Sequence, residues 1–258
     1  ERRWGIEAYG DEALAAAVAE VDEYPLGAPA DSELSLAGLQ DKLLLVALED
    51  GGWGRPLGGR PSTHILKVDD PRHPGLVAAE ALCLDLARAA GLTTIESELV
   101  RIGETPCLVV SRFDRISAKG EVRRIHQEDL CQATGIDPEG GHRGRAKYER
   151  AGGPSLRQAA SLLDTYAADP AAQLDRLVAA VTFTVLIGNA DAHGKNLALL
   201  HPDPSTVALA PLYDTAPTVL WPNLRTDAAM AIGGQGALPD VGLEDIVREA
   251  RLWPHPAD

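Results

Sequence analysis

The sequence predicts an α+β fold in two lobes, with an antiparallel sheet and one packed helix in the first lobe and mainly helices in the second. Strand-like apolar runs separated by Gly-rich turns are concentrated between residues 43 and 110. Helical periodicity dominates the second half, where segment 170–183 is apolar along most of its length. We predict an N-terminal helical segment over residues 1–26, a first lobe over 27–115 and a second lobe over 116–258.

The elements of the first lobe follow from alternation, periodicity and stop signals. A Pro- and Gly-containing break follows the first helical pattern, and Gly91 directly follows the second, where it acts as a C-terminal stop. The predicted elements, in chain order, are a helix at 11–23, strands at 43–48 and 63–68, a helix at 76–90, and strands at 98–102 and 105–110.

The second lobe is predicted to be helical around one long polar loop. The loop at 135–153 carries basic residues, and loops of that length are usually functional or mobile. The segment at 170–183 is expected to be the central buried helix, because apolar residues occupy most of it. The predicted helices are 127–133, 155–166, 170–183 and 243–252.

Composition narrows the functional classes. The formal net charge of −14 and the pI of about 4.9 argue against a self-sufficient nucleic-acid binder, although local basic patches such as 143–150 remain. The three cysteines are far apart and lack Cys-x-x-Cys spacing, which favours buried reduced thiols over a metal site. No apolar run in the sequence has the length of a membrane span, so we expect a cytoplasmic protein that does not contact a membrane.

One polar loop carries the strongest chemical signal. Asp191 and Asn196 lie between two apolar runs, with the five-residue step that separates Asp and Asn in a protein-kinase catalytic loop. A third carboxylate, Asp214, follows another apolar run. Phosphoryl transfer needs an acceptor for the substrate hydroxyl proton and oxygen ligands for Mg²⁺, which these three residues would supply. The alternative is a simple polar turn, because Asn, Asp and Gly are the common turn formers.

Two lysines in strands are candidates for binding phosphate. Lys67 lies inside an apolar strand that resembles the lysine-bearing strand of kinases, and Lys42 precedes the adjacent strand. Glu80 lies in the first turn of the following helix, where it could pair with Lys67. The alternatives are solvated strand lysines and a helix-dipole acid. Gly38 and Lys42 lack the second Gly and the Ser/Thr of a Walker A motif, so a P-loop NTPase is not supported.

Several motifs in one order resemble the HipA family of bacterial serine/threonine kinases, the toxin components of toxin–antitoxin pairs. The resemblance covers roughly residues 34–234. The matching stretches are Ser35-Leu-Ala-Gly-Leu-Gln-Asp-Lys42, Thr63-His-Ile-Leu-Lys67, Arg112-Phe-Asp-Arg115, Gln127-Glu-Asp-Leu-Cys-Gln132, Lys147-Tyr-Glu149, Gly152-Gly-Pro154, Gly188-Asn-Ala-Asp-Ala-His-Gly-Lys-Asn196 and Leu212-Tyr-Asp214.

The resemblance implies a role for each matching position. It implies that Asp191 is the catalytic proton acceptor and that Ser35 can be autophosphorylated, which expels the phosphate-binding loop and silences the kinase. The remaining implied roles are Mg²⁺ binding by Asn196 and Asp214, ATP-phosphate contacts by Lys42 and Lys67, pairing of Glu80 with Lys67, lining of the nucleotide site by Gln127 and His193, and adenine binding by the backbone from Ser111 to Phe113.

The resemblance also implies partners. Known substrates of relatives are aminoacyl-tRNA synthetases, and the usual partner is a small DNA-binding HipB-like antitoxin, so DNA would be contacted only indirectly. Two departures from the family pattern are Ser111, where relatives often carry Glu, and the lack of the family's N-terminal subdomain in this sequence. Two other hypotheses stay open: an inactive or autoinhibited kinase-like subunit that acts mainly as partner of a DNA-bound repressor, and a small-molecule phosphotransferase.

Overall fold

The described residues form two compact units. The first comprises those of Glu1–Asp85 and Ile95–Arg124, and the second those of Leu86–Thr94 and Ile125–Asp258. The computed structural model describes residues 5–21, 42–118, 121–141 and 145–254.

The first unit is built on a six-stranded antiparallel sheet with the strand order β1-β3-β2-β4-β6-β5. A separate hairpin pairs β7 with β8. The elements in chain order are β1 (Gly5–Ala8), α1 (Asp11–Ala19), β2 (Lys42–Ala47), β3 (Trp53–Leu57), β4 (His64–Val68), α2 (Leu76–Ala89), β5 (Ser97–Ile102), β6 (Thr105–Ser111), β7 (Arg115–Ala118) and β8 (Glu121–Arg124).

The sequence patterns do not predict β1 and β3. Gly54 and Pro56 lie in a Gly- and Pro-rich stretch, and both residue types are typical of turns. The strand needs this glycine, since a Cβ at position 54 would lie 2.3 Å from Ile6 Cγ2 on the neighbouring strand β1. The close approach of β1 and β3 therefore explains why a glycine, which is usually unfavourable in a strand, occupies position 54.

Alternation along the central strands creates an apolar face and a polar face. Leu43, Leu45 and Leu66 are buried in one cluster together with Val18 of α1. Residues alternate between faces in a strand, so Lys67 points away from that cluster. Its direct cross-strand partner is Lys42, which places both lysines on the same face of the sheet.

The second unit packs helices against two small sheets. One sheet has the order β11-β10-β9, and the other is the hairpin β12-β13. One apolar cluster joins α4, α5, α6 and these sheets. The elements are β9 (His126–Asp129), α3 (Leu130–Thr134), α4 (Leu156–Tyr166), α5 (Pro170–Ile187), β10 (Ala198–Asp203), β11 (Thr206–Leu209), β12 (Asp227–Ile232), β13 (Gln235–Ala237) and α6 (Leu243–Ala250).

The predicted helix at 127–133 is wrong in its first part. Residues up to Asp129 form β9, and α3 begins only at Leu130. Asp129 is the N-cap: its side chain accepts a hydrogen bond from the Gln132 N–H, and Gln132 Oε1 accepts one from the Asp129 N–H. The short polar run at 126–129 has no apolar alternation, so the periodicity could not distinguish a strand from the helix that follows.

The helix α5 is the central helix of this unit, as predicted. Its side chains Leu174, Leu177 and Val181 are buried in the main apolar cluster. By length and composition alone α5 is long and apolar enough to cross a membrane, although the sequence-based prediction found no apolar run of that length. A core helix of a folded domain meets the same criteria, so this finding is weak evidence for a span.

The fold class is therefore α+β, as the sequence predicts.

Candidate active site

The loop that carries Asp191 begins where α5 ends. Gly188 adopts a left-handed conformation (φ 73°), and a Cβ there would lie 2.4 Å from Val219 Cγ2. The side chain of Asn189 then turns the chain, because its Oδ1 accepts a hydrogen bond from the Asp191 N–H at 3.1 Å. Asn196 Nδ2 donates to the Asp191 carbonyl at 3.1 Å, so both ends of the loop are fixed to Asp191.

Asp214 is held against this loop in an unusual backbone conformation. Its φ is +55°, and among the described residues no other non-glycine has a positive φ. Such strain persists only where the surroundings enforce it, and it is concentrated at functional sites. The Asp214 carbonyl accepts a hydrogen bond from Asn189 Nδ2 at 3.4 Å, and the preceding Tyr213 hydroxyl donates to the Lys195 carbonyl at 2.8 Å. Lys195 Nζ in turn lies 3.0 Å from Asp129 Oδ2.

The Asp191 carboxylate is oriented by a tyrosine. The Tyr148 hydroxyl donates to Asp191 Oδ1 at 2.7 Å, and the Arg225 guanidinium lies over the Tyr148 ring at 4.0 Å. Burial, together with the charge of Asp191, raises the pKa of Tyr148 to about 12. The hydroxyl therefore stays a neutral hydrogen-bond donor. Tyr148 lies within the Lys147-Tyr-Glu149 motif, but no role could be predicted for it, since only the fold brings it to Asp191.

His193 is a second buried group beside Asp191. Its Nε2 lies 3.9 Å from Asp191 Oδ2, and its ring meets the Tyr148 ring edge-on with centroids 5.3 Å apart. Burial lowers the pKa of His193, and the raising effect of Asp191 and Asp214 offsets this only in part. The imidazole is therefore neutral near pH 7.

Backbone contacts hold the middle of the loop. The Gly194 N–H donates to the Lys147 carbonyl at 2.9 Å, and the Gly194 carbonyl accepts from the Leu130 N–H at 2.8 Å. A Cβ at position 194 would lie 2.4 Å from Pro154 Cγ. This glycine is needed because the chain passes between its neighbours at a distance that excludes any side chain.

In the first unit, Lys67 and Glu80 form a buried ion pair. Lys67 Nζ lies 2.5 Å from Glu80 Oε1, with 6% and 2% of the two side chains exposed. Lys42, directly opposite Lys67 in the sheet, is 7% exposed. Lysine side chains on one face of a sheet can bind an anion such as a phosphate group.

The other predicted nucleotide contacts are placed as follows. Gln127 lies in β9, and its buried Oε1 has no hydrogen-bond partner among the described residues. The Ser111 N–H donates to the Glu96 carbonyl, and the Arg112 N–H donates to the Thr63 carbonyl, so both N–H groups are used in backbone hydrogen bonds at the ends of the sheet strands. Phe113 follows β6 and is partly buried. Ser35, the predicted autophosphorylation site, lies outside the described residues.

The geometry of the loop suits a magnesium ion. Because Asn196 uses its Nδ2 for the Asp191 carbonyl, its Oδ1 is the amide atom left to act as a metal ligand. Asp214 adds a carboxylate close to the same loop. Mg²⁺ prefers hard oxygen ligands such as these and usually takes only one or two from the protein.

An apolar pocket lies behind the loop. Its walls include Leu177, Val181 and Met230, and Asn189 and Asn196 border it. None of the described residues that line it is charged, so the pocket does not suit a phosphate group.

Comparison with known proteins identifies a family that matches most of this chain. The family model described as HipA-like C-terminal domain matches residues 34–252. The chain is 42% identical over 221 residues to a protein of Sinorhizobium fredii named Putative kinase Y4mE, covering 84% of this chain and 51% of the relative. It is 34% identical over 211 residues to the serine/threonine-protein kinase toxin HipA of Shewanella oneidensis, covering 77% of this chain and 46% of the relative. The chain thus spans about half the length of these relatives.

Solved structures show the same fold. HipA of Shewanella oneidensis, in a complex with HipB and its operator DNA, matches with a TM-score of 0.77 and 26% identity, over 98% of this chain and 67% of that one. The Helicobacter pylori proinflammatory kinase CtkA matches with a TM-score of 0.53 and 11% identity, over 88% of this chain and 78% of that one. The predicted kinase-like fold is thereby confirmed.

Proposed function

Because the chain belongs to the HipA-like C-terminal domain family, we propose that it is the phosphotransfer part of an ATP-dependent protein serine/threonine kinase. One observation carries the proposal: internal hydrogen bonds fix the loop that holds Asp191 and Asn196, and a further one from Asn189 joins this loop to the strained residue Asp214. A proton acceptor and two oxygen ligands in one fixed cluster are the parts that phosphoryl transfer needs.

Asp191 is the residue that accepts the proton of the substrate hydroxyl. Tyr148 occupies its Oδ1, so its Oδ2 is the oxygen directed to the substrate. Neutral His193 lies 3.9 Å from that oxygen and adds no positive charge that would weaken it as a base. Removal of the proton leaves the substrate oxygen able to bond to the γ-phosphorus as the bond to the ADP oxygen breaks.

Other residues hold the nucleotide. Asn196 and Asp214 bind Mg²⁺, which when bound neutralises charge on the phosphate oxygens. Lys67, oriented by Glu80, and Lys42 contact the phosphates. Both lysines and Glu80 are buried on one face of the sheet, which supports this role. Gln127 lines the nucleotide site, in keeping with its buried Oε1, which has no hydrogen-bond partner within the part of the chain that the structure describes. Adenine binds at the backbone from Ser111 to Phe113, through groups other than the two N–H donors that the sheet uses.

For the whole protein we propose the role of toxin in a HipBA-type pair in the cytoplasm. A HipA relative has been solved with HipB and its operator DNA, which supports a HipB-like antitoxin as partner, with DNA contacted through it. The proposed protein substrate is an aminoacyl-tRNA synthetase, and Ser35 is the proposed site of autophosphorylation.

Intact mass before and after incubation with Mg-ATP tests the activity, with Asp191→Asn as the matched variant. We expect a phosphate on the unmodified chain, mapped to Ser35, and none on Asp191→Asn. Transfer by the variant would refute Asp191 as the base. ATP binding without transfer in the unmodified chain would instead favour an inactive kinase-like subunit.

A second variant separates metal binding from chemistry. Asp214→Asn is expected to weaken binding of Mg-ATP, measured by titration calorimetry, whereas Asp191→Asn should leave it nearly unchanged. Equal Mg-ATP affinity in the unmodified chain and Asp214→Asn would contradict the metal-ligand role.

A further inference from the structure

Three side chains that the proposed phosphotransfer does not use meet on one face of the sheet of β9 and β10. His126 and His201 are direct cross-strand partners, so both point to the same face. Glu128 is two residues after His126 on β9 and therefore shares that face. The sequence alone does not indicate this meeting, since 75 positions separate the two histidines and only the strand register brings them together.

The three groups already lie close to one another. His201 Nε2 is 2.9 Å from Glu128 Oε2, and the two imidazole rings have centroids 4.9 Å apart. One ligand atom from each residue can be chosen so that all three lie within 4.8 Å of one another. In a tetrahedral zinc site with bonds of about 2.0–2.2 Å, ligand atoms are roughly 3.4 Å apart. Small side-chain rotations are therefore enough to close the cluster around an ion.

We propose that His126, Glu128 and His201 form a binding site for a divalent transition-metal ion, with Zn²⁺ as its ligand. Two imidazoles and one carboxylate are a donor set that zinc uses when one coordination position stays open to water. His126 is exposed to solvent, so an ion and its water can enter from outside the fold. Mg²⁺ does not fit, because it prefers oxygen ligands and the set contains two nitrogens.

The bound ion would link two strands that are distant in sequence. The strand β9 leads directly into α3, and β10 begins two residues after Asn196. An ion that binds only the folded sheet stabilises it by an amount that grows with the logarithm of the ratio of its free concentration to the dissociation constant. Zn²⁺ is therefore expected to raise the unfolding temperature of the chain.

Titration calorimetry and absorbance with Co²⁺ as a spectroscopic probe for Zn²⁺ test the site directly, without any kinase assay. We expect the chain to bind one equivalent of metal ion. The affinity for the ion should fall at least about tenfold in each of His126→Gln, Glu128→Gln and His201→Gln, since even changes at residues that only hydrogen-bond to a metal ligand have effects of that size. The visible bands of tetrahedral Co²⁺ should disappear in the same variants. Circular dichroism checks that each variant is folded.

Two controls make the result specific. His73→Gln removes a histidine that also contacts a carboxylate, since His73 Nδ1 lies 2.9 Å from Asp70 Oδ2, and it should leave metal binding unchanged. Asp214→Asn, which alters the proposed magnesium site, should also retain Zn²⁺ binding. The proposal would be overturned if the unmodified chain showed no saturable binding of the metal ion. It would also be overturned if binding survived in both single variants, His126→Gln and His201→Gln. Loss of Zn²⁺ binding in Asp214→Asn alone would overturn it as well, because the ion would then belong to the phosphotransfer loop.

Discussion

Replacing Asp114 with Asn tests a buried charge network at the end of β6. Asp114 accepts two hydrogen bonds from Arg112, at 3.0 and 2.8 Å, and one from Arg115 at 2.5 Å. Arg112 also donates to Ser62 Oγ, and Arg115 donates to the Ser62 carbonyl. One carboxylate therefore holds two guanidinium groups against the segment that leads into β4.

The size of the effect follows from burial. The side chains of Arg112, Arg115 and Asp114 are only 9%, 4% and 7% exposed. Removing one partner of a buried ion pair costs about 3–5 kcal/mol, because the remaining charge is neither solvated nor paired. Asparagine can still accept a hydrogen bond, so we expect the lower end, about 3 kcal/mol for Asp114→Asn.

Hydrogen exchange followed by mass spectrometry measures this loss locally. Peptides from β4 and β6 should exchange roughly a hundredfold faster in Asp114→Asn, since 1.4 kcal/mol corresponds to about a factor of ten. The control is Asp227→Asn, which breaks the exposed pair of Arg150 and Asp227 and should change stability by less than about 1 kcal/mol. Equal protection of β4 and β6 in Asp114→Asn and the unmodified chain would refute the reasoning.

The same network makes the free energy of unfolding depend on pH. Burial tends to raise the pKa of Asp114, but the hydrogen bonds and charges of Arg112 and Arg115 outweigh it, so the pKa is lowered overall. A carboxyl group with a lowered folded pKa stabilises the fold above its unfolded value of about 3.9, and this contribution disappears as the pH falls through the folded pKa. Urea unfolding should therefore separate the unmodified chain from Asp114→Asn fully at neutral pH and progressively less below about pH 4. A difference that grew on acidification would contradict this assignment.

Two further substitutions probe the loop around Asp191. Tyr148→Phe removes the hydroxyl that donates to Asp191 Oδ1, and a hydrogen bond to a charged group contributes about 1.5–3 kcal/mol. Turnover should therefore fall roughly tenfold or more, with Mg-ATP affinity unchanged. Substitution of the exposed Tyr166 by Phe is the control, and full turnover in Tyr148→Phe would contradict the orienting role of Tyr148. Gly194→Ala forces a Cβ to within 2.4 Å of Pro154 Cγ. This overlap should lower the free energy of unfolding, measured with urea, by about 1–3 kcal/mol. An unchanged urea midpoint would show that the loop can move aside.

Much of the fold was accessible from the sequence because local patterns agree with the tertiary structure. Alternating or continuous apolar runs predicted β2, β4, β5 and β6 to within a residue or two, and stop signals placed the end of α2. The strand β3 was missed because Gly54 is explained only by the closeness of Ile6, a contact between segments far apart in the chain. Local propensity carries no information about such contacts.

Likewise, some features of the candidate site could be predicted from local sequence and others could not. The spacing of Asp191 and Asn196 is a local property, and the structure shows that a hydrogen bond joins them. The contact of Tyr148 with Asp191 joins residues 43 positions apart, and the meeting of His126 with His201 depends on strand register. These arrangements follow from packing and could not be derived from the spacing of the residues alone.

The four-residue strand β9 leaves little tolerance for insertions or deletions. Alternate residues of a strand face opposite sides, so His126 and Glu128 point one way while Gln127 and Asp129 point the other. A shift of one position against β10 would exchange the two sets. After such a shift, Gln127 and the α3 cap residue Asp129 would point to the face that His126 and Glu128 now occupy, and His126 and Glu128 would point to the opposite face. Length changes between residues 126 and 129 should therefore be far more damaging than most single substitutions there.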